Sequence, residues 1–102
     1  MTFAEILDEA AQGLDGVNRR VPDAGGVEYL RGDRAFAIVE PGEGAVTIHL
    51  SDAVAAAAVR TPDTAPAELG RGWVTLRPMS IDRQSADRAR AWFESAWRLA
   101  AD

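Results

Sequence analysis

The chain has 102 residues, 47% of them hydrophobic, with no cysteine and a formal net charge of −5. That length holds one core and predicts a single domain over 1–102. The missing thiols exclude a disulfide framework and thiolate chemistry, and the acidic balance opposes non-specific attraction to nucleic acid and anionic membranes.

Thr2-Phe3-Ala4-Glu5 forms a capping box, and Phe3, Ile6, Leu7, Ala10 and Leu14 follow helical spacing up to a stop at Gly16. Glu5, Asp8 and Glu9 share one face of this helix. They read as a solvated face complementing the helix dipole more readily than as an oxygen-ligand cation site. Val17 to Gly26, with Pro22 and Gly25-Gly26, reads as turns.

A meander follows. Val27–Arg31 alternates as a strand, and Arg31-Gly32-Asp33-Arg34 fits a II′ hairpin with glycine first. Arg34–Glu40 is a second strand, with Phe36 and Ile38 expected on one face and Ala35, Ala37 and Val39 on the other. After the turn Pro41-Gly42-Glu43-Gly44, Ala45–Leu50 is a third strand, Val46, Ile48 and Leu50 inward and Thr47 and His49 outward.

Ser51 or Asp52 caps a short alanine-rich helix that ends before Thr61-Pro62. A loop carrying Pro62 and Pro66 leads to a strand in RGWVTLRP, residues 71–78. Asp82 or Ser85 opens the last helix, whose apolar stripe is Ala89, Trp92, Phe93, Ala96, Leu99 and Ala100, with Trp97 on the flank. The expected core is Phe3, Ile6, Leu7, Leu14, Phe36, Ile38, Val39, Val46, Ile48, Leu50, Val74, Leu76, Trp92, Phe93 and Leu99. The predicted fold is α+β: an antiparallel sheet of four to six strands, with N-terminal, short middle and C-terminal helices mainly on one face.

The stretches RGDRAFAIVEPGEGAVTIHLS (31–51) and GRGWVTLRPMSIDRQSADRARAWFESAWRLA (70–100) resemble the MmcQ/YjbR-like family. The matching features are Gly32 with Arg34, Phe36, the strand Val46–Leu50, Gly72-Trp73-Val74, and the aromatic-rich end Ser95–Leu99. The resemblance implies a frataxin-type α/β sandwich, commonly labelled DNA-binding for two wing-like hairpins, and it brings no catalytic residues. This chain departs from the pattern at His49, where a lysine is expected, and at its acidic second wing, Glu40-Pro41-Gly42-Glu43.

Candidate site residues are few. Residues 71–98 carry six arginines against Asp82, Asp87 and Glu94. The nucleic-acid reading uses Arg31, Arg34, Arg71 and Arg77 to neutralise phosphate and Trp73 to stack a base. The competing reading places Trp73 at the edge of the helix layer, since a chain short of large apolar groups gains by burying an indole. The alternation leaves open which face of that strand is wet. Trp97, on the helix flank, is a candidate for a homodimer or partner surface.

His49, the single histidine, lacks companions for a metal site, and Ser51 sits in no nucleophile elbow. Gly42-x-Gly44 lacks the third glycine of a dinucleotide loop, and without lysine there is no phosphate-binding P-loop. Arg31-Gly32-Asp33 is a turn. No catalytic residue, metal or cofactor is expected. No apolar run reaches membrane-spanning length and no basic leader is seen, so a cytoplasmic protein without membrane contact is expected. The expected function is that of a non-enzymatic MmcQ/YjbR-like protein that binds nucleic acid by resemblance, with a protein-interaction or regulatory domain as the alternative.

Overall fold

The structure is a computed structural model and describes residues 1–42 and 44–101; Glu43, in the acidic wing, and Asp102 lie outside them. Its elements run α1 (Phe3–Ala11), β1 (Val17–Arg20), β2 (Val27–Arg31), β3 (Arg34–Val39), β4 (Val46–His49), α2 (Asp52–Ala58), β5 (Thr64–Pro66), β6 (Trp73–Leu76) and α3 (Arg83–Leu99). The strands form one antiparallel sheet in the order β1-β2-β3-β4-β6-β5. α1 lies against α3, α3 on β3 and β4, and α2 against β5 and β6, so the helices cover one sheet face. Among the described residues no helix is long and apolar enough to cross a membrane.

Local sequence explains the helix starts. Thr2 accepts from the Glu5 N–H at 3.1 Å while the Glu5 carboxylate accepts from the Thr2 N–H at 2.8 Å, closing the capping box. Ser51 caps α2, and Asp82 caps α3 through a reciprocal box with Ser85. The Ser85 N–H donates to the Asp82 carboxylate at 2.8 Å, and this bond holds the carboxyl below its ordinary value. The stabilisation is full above the unfolded-state carboxylate range and is lost as pH falls through the lower folded-state value. Wild type is therefore expected to lose melting temperature relative to Asp82→Asn, which keeps a capping oxygen but does not titrate, when acidified from neutrality to below about pH 4. Parallel melting curves for the two proteins across that range would contradict it.

The core is larger than the apolar pattern predicts. Tyr29 is fully buried, its ring edge-on to Phe93 at 5.2 Å, while Phe36 meets Phe93 at 5.1 Å. The Tyr29 hydroxyl donates to Asp8 at 2.7 Å, and Arg19 holds the same carboxylate at 3.0 Å. Burial, reinforced by Asp8, pushes the phenol well above its usual value, so it stays neutral and donates.

Five expectations need correction. Val17–Arg20 is a strand rather than turns, because it gains backbone bonds along β2 that no local pattern announces. Thr64–Pro66 is a three-residue strand within the expected loop, held by β6. α1 stops at Ala11, with Leu14 reached by a turn. Tyr29 pairs with Ala37 and Leu30 with Ala35, so Phe36 is an extra residue in β3. This bulge turns both Phe36 and Ala37 into the core and puts Ile38 on the opposite, helix-free face. Leu99 is half-buried and outside the core, since the last helix presents Ala96 and Ala100 to the sheet instead.

Candidate nucleic-acid interface and the open sheet face

The residues expected to meet nucleic acid divide between the two sides of the sheet. Gly32 takes a φ of 62° while Asp33 does not turn positive, as the II′ hairpin requires, and the turn sets Arg31 opposite Arg34. Arg31 points toward the helices. Its guanidinium lies 4.0 Å over the Trp97 ring and donates to the Trp97 carbonyl at 2.9 Å. Trp97 is half-buried, and its indole N–H donates to the Asp15 carbonyl at 2.8 Å. The flank tryptophan thus ties α3 to the turn after α1 and to β2. Arg34 lies on the same side as Arg31 by register.

Trp73 and Arg77 belong to the other side, while Arg71 lies before β6 and reaches the start of α2. Val74 and Leu76 are buried in the core, so Trp73 and Thr75 face away from the helices. Trp73 therefore does not pack under a helix. It recovers cover by stacking on His49, its partner across β4, with ring centroids 4.9 Å apart and planes within 16°. Arg71 pairs with Asp52 at 2.7 Å, and Arg77 forks onto both Glu40 oxygens at 2.8 Å each.

The helix-free face is organised as rungs across the strands. One rung runs Ile38, Thr47, Thr75 and Ala65 through β3, β4, β6 and β5. The Thr47 and Thr75 hydroxyls bond each other at 2.8 Å. The neighbouring rung on one side is the His49–Trp73 stack; on the other, the Glu40–Arg77 fork reaches across the buried Ala45. The Ile38 rung floors an open groove of about 650 Å³, which Asp63, Glu68 and Leu69 also line. Leu69 is 60% exposed.

The electrostatics of this face are acidic. Arg20 and Arg77 are met by Glu28 and Glu40. Asp63 and Glu68 add two carboxylates with no side-chain partner among the described residues. At the groove, where Arg77 is the lining arginine, the expected phosphate-binding field is thus more than cancelled. On α1, Glu5 is engaged in its cap and Asp8 with Tyr29 and Arg19. Among the described residues no three acidic or histidine side chains gather as metal ligands.

The groove's floor was half legible in the sequence. Outward Thr47 and His49 follow from strand alternation, but Ile38 reaches this face only through the bulge. Asp63, Glu68 and Leu69 gave no signal, because they surround a strand of three residues containing Pro66.

No protein-family model and no curated protein matches the chain. A crystal structure of a protein from Pseudomonas syringae, determined by the Northeast Structural Genomics Consortium, aligns with a TM-score of 0.67 and 14% identity over 98% of this chain and 99% of that one. What the chain shares with that protein is the fold over its whole length, an α+β arrangement of a six-stranded antiparallel sheet and three helices.

Proposed function

We propose that this chain is a non-catalytic, MmcQ/YjbR-like binding module that engages a protein partner through the helix-free face of its sheet. The observation that carries the reading is the groove on that face. It has a floor of two threonines flanked by Ile38 and Ala65, an exposed Leu69 and a rim of uncancelled acid, on the side that no helix covers. Nucleic acid is the second reading, favoured by Trp73 standing on the open face with Arg71 and Arg77 two and four residues away in sequence. Their ion pairs are exposed and contribute only about 0–1 kcal/mol each, so phosphate could displace the acids. The carboxylates would remain beside the phosphate, and this ranks the reading second.

Fluorescence anisotropy with a labelled duplex of about 20 base pairs, and its single strand, at about 20 mM and about 150 mM salt separates the readings. No saturable binding is expected at either salt. A salt-steep complex lost in Arg71→Ala/Arg77→Ala would replace the protein-partner reading with the nucleic-acid one. Affinity capture on the immobilised chain is expected to retain a protein that Leu69→Lys releases, while gel filtration reports whether that partner is a second copy. Identical capture by wild type and Leu69→Lys would remove the groove from the reading.

A further inference from the structure

We infer that the groove on the helix-free face takes an extended, cationic and apolar peptide segment of a partner protein; this rests on the protein-partner reading above and names its ligand chemistry. Three observations support it. The floor is a single rung, Ile38 to Ala65, so it crosses the strands, and its apolar ends flank two threonine hydroxyls. Those hydroxyls use one proton on each other, leaving the second to donate to a peptide carbonyl. The volume of about 650 Å³ is that of a ligand cleft, large enough for a few side chains.

Charge selects the occupant. Asp63 and Glu68 have no ion pair among the described residues, whereas the one arginine of the rim, Arg77, is held by Glu40. A lysine or arginine laid here would place its aliphatic stem on Ile38, Ala65 and Leu69 and its charged head at the two carboxylates. The net charge of −5 would steer such a partner toward the molecule. Edge-strand addition is disfavoured, since β5 has three residues and ends at Pro66. Recognition therefore comes from side chains across the rung.

The test is a ¹⁵N–¹H NMR titration of the full chain with two capped pentapeptides, Lys-Val-Arg-Val-Lys and Glu-Val-Glu-Val-Glu. The basic peptide is expected to shift the amides of Thr47, Ala65, Leu69 and Thr75, and the acidic one to leave them unmoved. Asp63→Asn/Glu68→Gln is expected to weaken the basic peptide about fivefold with an unchanged melting temperature. Asparagine tolerates the left-handed backbone of residue 63, whose φ is 63°, as aspartate does. Equal binding of both peptides, shifts confined to another surface, or no loss in the double variant would overturn the inference. Absence of peptide binding, with a captured protein still released by Leu69→Lys, would overturn the cationic assignment and leave the partner reading standing. If capture also fails to respond to Leu69→Lys, both fall.

Discussion

Phe93→Ala is expected to lower the melting temperature by roughly 15 °C or more. Phe93 is fully buried on α3, and its ring joins Tyr29 of β2 and Phe36 of β3 in one aromatic cluster. Removing it takes away apolar burial and leaves a cavity between helix and sheet, at a cost of about 3–5 kcal/mol. The lost edge-on and tilted ring contacts add roughly 1 kcal/mol. A domain of this size has only about 5–15 kcal/mol in total, so the variant sits near the threshold of folding. Phe93→Leu keeps most of the volume and should cost about 1–1.5 kcal/mol. Thermal melts by circular dichroism measure both. A shift under about 5 °C for Phe93→Ala would mean that the cluster is not the centre of the core.

The second large effect is expected at Gly72, the second residue of RGWVTLRP. Its φ of 86° disfavours any L side chain, at about 1–2 kcal/mol. An added Cβ would also collide with the Leu50 carbonyl and come within 3.2 Å of the His49 ring. The obstructing carbonyl is backbone, and the Leu50 N–H is itself bonded to the Gly72 carbonyl at 2.8 Å, so it has no room to yield. Gly72→Ala should therefore cost about 3 kcal/mol or more and displace His49 from Trp73. Gly32→Ala is the comparison. That glycine also has positive φ, but nothing lies within 4 Å of an added Cβ, so the cost should be about 1 kcal/mol. Chemical denaturation gives the free energies, and tryptophan fluorescence reports the stack. Equal destabilisation by the two substitutions would show that the close approach to Leu50 carries no energy.

What the sequence by itself determined was local or periodic. Thr2, Ser51 and Asp82 cap the helices because a side-chain oxygen can reach a free N–H within one turn, whatever lies elsewhere. The Gly32 hairpin, the inward Val46 and Ile48, and the buried stripe of α3 follow from backbone chirality and from periods of two and 3.6. With the helices apolar on one side, those elements sufficed for an α+β fold. The tertiary structure decided what depends on distant partners. β1 and β5 are strands only because neighbours bond them, and the Phe36 bulge reverses Ile38 to meet β2's register. It also decided the face of Trp73, since alternation gives two faces and only the position of the helices tells which is dry. The candidate arginines share an amino-acid type but not a surface. Arg31 turns to Trp97 beneath the helices, while Arg77 turns to Glu40 on the open side, because side-chain direction in a sheet is fixed by register and not by composition.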